Sequence, residues 1–191
     1  PVPEADADLI RARFGDTMPT TRIFSAFARE QMTDCDPLDD PDHALMAWLE
    51  AEERLFRTFE RMLVEDRLRR GFLTGGGAVD VDGFIGFSLS VQNRRKSRAG
   101  YALENHLEHI FALWRLRFDR GATTEGRSKP DFLFPGREQY LNEAFPVSGL
   151  SILGAKASCK DRWRQVLGEA DRLETKHLVT LEPSISVNQT D

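Results

Sequence analysis

PDFLFPG (residues 130–136) followed by LSILGAKASCKDRWRQVLGEADR (150–172) is the stretch that decides the fold. Asp131 stands directly after Pro130 and opens a short apolar strand, PDFLF, while LSILGAK is an apolar run that fits a buried strand ending at Lys156. After it, Trp163, Val166, Leu167, Ala170 and Leu173 recur at helical spacing and predict a helix over 161–174. HLVTLE (177–182) reads as one more buried strand.

Working outward, YALENHLEHIFALWRLR (101–117) carries Leu103, Leu107, Ile110, Phe111 and Trp114 on one face and predicts an amphipathic helix. Before it lies the basic knot Arg94, Arg95, Lys96, Ser97, Arg98, read as a loop closing at Gly100. The Gly75–Gly77 cluster and AVDVDGFIGFSLSVQ (78–92) read as short strands turning at Asp82-Gly83. Residues 42–69 read as a long helix, with Asp42 as N-cap and Gly71 as terminator. PGREQYLNEAFPVSG (135–149) reads as loop. Helix, hairpin, helix, strand, strand, helix, strand specifies an α/β fold, a mixed central sheet with helices on both faces.

The chain has 191 residues, enough for one domain, and its longest apolar runs are too short to cross a bilayer. We expect a single domain, with an acidic segment at 1–41 and the core at 42–189. Two cysteines, Cys35 and Cys159, without a paired motif argue against a disulfide framework or structural zinc. The acidic N-terminus lacks signal-peptide regions, so a cytoplasmic setting is expected. The net charge of −5 argues against a nucleic-acid partner, but it is an average over two unlike parts. Residues 1–53 hold 13 acids and 4 bases, whereas residues 54–191 hold 18 acids and 22 bases. The basic excess therefore lies with the predicted sheet.

Four polar residues stand out around that sheet. If the strands at 131 and 156 are neighbours, Asp131 and Lys156 share one sheet edge. Glu169, thirteen residues after Lys156, sits beside the apolar stripe of the third helix, and Glu104 lies near the start of the second. Carboxylates with one lysine at a sheet edge are the parts of metal-assisted phosphodiester hydrolysis. The acids hold Mg²⁺, a hard oxygen-seeking cation, and the lysine orients the nucleophile or offsets developing charge. Taken singly, each residue is ordinary: an Asp after proline commonly caps a turn, and a strand-end lysine commonly reaches solvent. The nuclease pattern of an acid two residues before the lysine also fails, because that position is Gly154. Glu169 is the candidate replacement.

PDFLFPG, LGAKASCKDRWRQVLGEADR (153–172) and KHLVTLEPSIS (176–186), extended upstream by YALENHLEHIF and TEGRSKPDF (124–132), closely resemble the catalytic domain of the EcoRII restriction endonuclease, of the PD-(D/E)XK superfamily. The resemblance covers about residues 94–189. It implies a restriction-endonuclease-like fold and a Mg²⁺-dependent type II endonuclease that cuts double-stranded DNA at a CCWGG-like site as a homodimer. In this branch the second acid has moved to the helix. That assigns metal binding to Asp131 and Glu169, catalysis to these with Lys156 and Glu104, and a place near the active centre to Tyr140.

Lys160, Asp161 and Arg162 match the cluster that reads CC:GG. Arginine can donate two bonds to guanine and aspartate can accept from cytosine N4. Arg94, Arg95, Lys96 and Arg98 are the expected phosphate contacts, and Arg54 or Arg57 the candidates for a flipped-base pocket. The separate N-terminal effector domain of EcoRII has no room here, which implies a stand-alone enzyme or an excised catalytic domain. The competing readings are a catalytically silent DNA-binding module and a mismatch-repair nuclease of the same superfamily.

Overall fold

A computed structural model describes residues 4–158 and 163–181. The chain falls into two compact units, 1–105 and 106–191.

The first unit is helical: α1 (Glu4–Phe14), α2 (Thr21–Glu30), α3 (Pro41–Arg70) and most of α4 (Val81–Leu113). The helix predicted over 42–69 is α3, and Asp40 rather than Asp42 caps it, accepting from His43 N–H at 3.0 Å. Gly71 ends it in a left-handed conformation (φ 72°), as the sequence predicted. Ile10, Phe24, Phe27, Ala28, Leu55, Phe56 and Phe59 form the core, where α1, α2 and α3 bury their apolar stripes.

The hairpin expected over 78–92 is not there. Those residues from Val81 onward are the first turns of α4, and the pairing in this region is a single bridge, Leu73 to Val79. The turn sits at 74–77, where Gly77 adopts φ 81° and Thr74 N–H bonds to Ala78 O. Asp80 then accepts from Gly83 N–H at 2.9 Å and starts the helix. Phe84 and Phe87 both pack on Phe72, with ring centroids 5.3 and 5.5 Å away. A helical spacing of contacts thus prevails over the alternating, β-branched look of the sequence.

The basic knot is consequently helical as well. Arg98 is buried, with its guanidinium 3.9 Å above the Phe56 ring, and it donates to Glu52 at 2.7 Å and to Glu53 at 2.5 Å. Arg95 donates to the buried Glu60 at 2.6 Å. Arg54 pairs with Asp6. Acids from the first third of the chain are neutralised by bases that follow residue 53.

The second unit holds a four-stranded mixed sheet: β1 (Asp119–Arg120), β2 (Phe132–Phe134), β3 (Ser151–Lys156) and β4 (His177–Thr180), in that spatial order. β1–β2 and β2–β3 are antiparallel, and β3–β4 is parallel. The strands predicted at 131–134, 150–156 and 177–182 are β2, β3 and β4, with Glu182 outside the described residues; β1 was not legible. Alternation along β2 divides the faces. Phe132 and Phe134 meet Phe111, in the last turns of α4, at 5.1 and 5.3 Å. Leu133 faces the other way, with Ile152, Val166, Ala170, Leu173 and Tyr140. Helices therefore cover both faces, as expected. The loop read at 135–149 contains a short helix, α5 (Arg137–Leu141).

The helix predicted over 161–174 is shorter. α6 spans Trp163–Leu167. It stops because Gly168 and Glu169 turn back onto Gln165 O and Val166 O, and Ala170 takes a left-handed φ of 53°. Glu169 therefore lies in the turn after the helix, not inside it.

Replacing Arg98 with alanine takes from the fully buried Glu52 the guanidinium that bonds it at 2.7 Å. Denaturant unfolding should show a loss of about 3 kcal/mol, the usual cost of removing one partner from a buried pair. A loss below about 1 kcal/mol would show that the pair does not tie α4 to α3.

Candidate active site

Continuing the β2–β3 register one residue past Phe132–Leu153 sets Asp131 opposite Gly154. Asp131 Oδ2 accepts two bonds of 2.6 Å, one from the Ala155 N–H and one from the Lys156 ammonium. Both side chains are 14% exposed, so the pair is largely withdrawn from water. One carboxylate oxygen thus fixes the strand end and holds the lysine, leaving Oδ1 for another partner.

Gly154 explains why no acid precedes Lys156 in the usual place. A Cβ built there would lie 2.5 Å from Val166 Cγ2 and 3.2 Å from Val166 Cγ1. α6 rests on the sheet at that point, and Ile152, Gly154 and Lys156 alternate toward it. A carboxylate-bearing side chain at 154 would have to displace α6. The turn that follows α6 supplies Glu169 instead.

Glu169 is half-buried, and its Oε2 has no hydrogen-bond partner among the described residues. Its pKa is raised, first by burial; the neighbouring Lys156 opposes the rise, Asp131 adds to it, and Lys176 opposes it. Asp131, Lys156 and Glu169 therefore share one electrostatic neighbourhood, as the sequence predicted.

An unpartnered buried carboxylate oxygen beside a second carboxylate suits a hard divalent cation. Mg²⁺ in particular is commonly held by one or two carboxylates, with substrate phosphate and water completing its shell. The donor set fits the metal. Asp131 and Glu169 are the residues that would hold it.

The other expected residues lie on other elements. Tyr140 is fully buried in the core behind β3, and its hydroxyl donates to Glu125 at 2.6–2.7 Å while accepting from Arg172 N–H at 3.2 Å. Burial, reinforced by Glu125 and opposed by the Arg172 N–H, pushes its pKa up to about 12. It remains a neutral phenol with both hydrogen-bonding roles filled, a supporting position in the core. Glu104 lies in the first unit, on α4, half-buried.

Arg98 is closed off by Glu52 and Glu53 and is not placed to clamp a phosphate; Arg95 is engaged by Glu60. Lys96 is exposed and Arg94 half-buried on the same helix. Lys160, Asp161 and Arg162, the expected base readers, lie outside the described residues. A groove of about 690 Å³ within the first unit is lined by Arg54, Arg57, Arg61, Val64, Leu68 and Arg95 among others. Its only signal in the sequence was the recurrence of arginine along α3. Arg57, one of the flipped-base candidates, pairs there with Glu53 at 2.6 Å.

A mixed sheet carrying Asp131 and Lys156 on adjacent strands, with Glu169 beyond α6, is the arrangement of the restriction-endonuclease fold. Solved structures agree on the fold. The restriction endonuclease PspGI–substrate DNA complex superposes with a TM-score of 0.67 at 18% identity, covering 90% of this chain and 71% of that one. Metal-depleted Ecl18kI in complex with uncleaved, modified DNA gives 0.65 at 18% identity, covering 96% and 69%.

The family model described as EcoRII C terminal matches residues 56–191, and the chain belongs to that family. The Type II restriction enzyme EcoRII of Escherichia coli is 48% identical over 151 residues, which are 78% of this chain. The chain spans 36% of that relative's length.

The raised pKa of Glu169 has a stability consequence with a definite sign. The folded protein holds that proton more tightly than the unfolded chain, whose pKa is 4.5, so ionising Glu169 weakens the fold as pH climbs from 4.5 through the raised value. Without metal, Glu169→Gln should melt higher than wild type at pH 7, and the advantage should vanish below pH 4.5. A constant difference across that range in pH-resolved melting curves would contradict the assignment.

Proposed function

We propose that this chain is the catalytic part of a type II site-specific endonuclease that hydrolyses phosphodiester bonds of double-stranded DNA at a CCWGG-like sequence with Mg²⁺. The observation that carries this reading is the convergence of Asp131, Lys156 and Glu169 beside the end of β3. It is supported by the Type II restriction enzyme to which the chain is 48% identical, and by structural neighbours that were solved on DNA.

Mg²⁺ at Asp131 and Glu169 would supply positive charge to polarise the scissile phosphate. The protein's own part is positional. Asp131, fixed by the Ala155 N–H, holds Lys156 so that its ammonium can face the attacked phosphate and orient the nucleophile. The chemistry asks for charge placement rather than a covalent intermediate, and the residues present are charges on a rigid strand end. Lys160, Asp161 and Arg162 follow Lys156 by four to six residues, which would couple reading of the CC:GG pairs to the catalytic strand. Arg94 and Lys96 are the proposed phosphate contacts on α4.

One such site cuts one strand, so cleavage of a duplex asks for two copies; we read the active form as a homodimer, working in the cytoplasm. Among the described residues no helix is long and apolar enough to cross a membrane. Val81, Phe84, Ile85 and Leu89 on α4 are each 46–57% exposed and give an apolar stripe that a second copy could cover.

Incubation of CCWGG-bearing plasmid with Mg²⁺ should give discrete fragments. Asp131→Ala and Lys156→Ala should abolish them while leaving sequence-specific gel shifts largely intact; cutting by the wild type with no site preference would refute the restriction reading. Ile85→Glu together with Leu89→Glu should lower the mass measured by light scattering from that of two chains to that of one. An unchanged mass would move the pairing surface elsewhere.

A further inference from the structure

The turn that carries Glu169 lies beyond α6, which ends at Leu167, and its own backbone bonds are the short ones from Gly168 to Gln165 O, Glu169 to Val166 O and Leu173 to Ala170 O. Ala170, the next residue, sits at φ 53°, a conformation that a non-glycine residue keeps only when its surroundings fix it. Two cations supply that fixation. Lys176 donates to Leu167 O at 2.7 Å and Glu169 O at 2.5 Å, closing the turn from the side of β4.

Arg172 closes it from the other side. Its guanidinium donates to Phe145 O at 2.9 Å, to Asn142 O at 3.1 Å and to Tyr140 O. The Tyr140 and Asn142 carbonyls stand at the C-terminal end of α5, where the helix leaves acceptors without an internal donor. Its backbone N–H donates to Tyr140 Oη, and Tyr140 Oη donates in turn to Glu125. Arg172 is thus bound through both backbone and side chain to one rigid segment. That segment is anchored by Tyr140 in the core with Leu133, Ile152, Val166 and Ala170.

We infer that Arg172 is a positioning residue for the second catalytic carboxylate. By clamping the 168–173 turn to α5, it aims the unpartnered Glu169 Oε2 toward the site of Asp131 and Lys156. This inference rests on the reading of Asp131 and Glu169 as the metal ligands. Partners that orient a ligating side chain are worth about 10- to 100-fold in metal affinity, which sets the expected size of the effect.

The test uses Mn²⁺ binding to the whole chain, read by loss of the free-ion electron-paramagnetic-resonance signal, without DNA and without turnover. Arg172→Gln should weaken binding by about 10-fold or more, and Arg172→Lys, which keeps the charge but cannot span three carbonyls, should not restore it. Tyr140→Phe keeps the ring in the core and removes only the hydroxyl link; it should weaken binding by a smaller factor and carries the test if Arg172→Gln does not fold.

The deciding measurement is a double-mutant cycle with Glu169→Gln. Once the ligand is gone, neither Arg172→Gln nor Tyr140→Phe should reduce Mn²⁺ affinity further. An undiminished effect in the Glu169→Gln background, or wild-type affinity in folded Arg172→Gln protein, overturns the inference. Unchanged Mn²⁺ binding in Asp131→Asn would instead overturn the metal-site reading itself.

Discussion

The carboxylate of Asp131 joins β2 to β3 at the point where their ladder ends, and much of the second unit is arranged around that one oxygen. Oδ2 takes the Ala155 N–H, which no strand pair would otherwise satisfy from that side, and the Lys156 ammonium, which would otherwise extend into solvent. The same bonds therefore complete the sheet and bring together two of the three residues proposed for the site. Both side chains are mostly withdrawn from water, where charge-assisted hydrogen bonds are stronger and better oriented than at an open surface. A lysine held in this way has lost much of its rotamer freedom.

The position of Glu169 follows from packing. α6 lies against β3 closely enough that position 154 has room for glycine alone, so the acid of the usual strand pattern cannot be accommodated there. The chain gains a short helix on the sheet and recovers the carboxylate from the turn beyond it. Glu169 is left with an unsatisfied oxygen and a raised pKa, which is a cost to the metal-free fold.

Charge shows the same difference between average and arrangement. The acidic first third does not stand apart as one surface: Asp6, Glu52 and Glu53 pair with Arg54, Arg57 and Arg98 inside the first unit. Whole-chain charge, and even the charge of thirds, is a poor guide to what faces a partner, because ion pairs between distant positions remove charges from view. The basic knot illustrates this most sharply. Five consecutive polar residues look alike as letters, yet on a helix they divide: Arg98 is buried on Glu52, Arg95 is exposed but reaches the buried Glu60, and Lys96 stays out.

The sequence by itself determined the strands β2, β3 and β4 and the helix α3 with its glycine stop, and it brought Asp131, Lys156 and Glu169 forward as candidates. Each of these rests on local pattern or on long, specific motifs. It misread residues 78–92, because GFIGFSLSV satisfies a two-residue alternation and a helical spacing alike, and only packing on Phe72 selects the helix. It also overran α6, since nothing in the letters shows that Lys176 will cap Leu167 and Glu169. What tertiary structure alone decided is which charged groups meet. Arg98 went to Glu52, Tyr140 to Glu125 and Arg172 to the end of α5, pairings between residues fifteen to forty-six positions apart. Hydrogen bonds of that kind depend on distances and directions in three dimensions, and residue type along a chain carries neither.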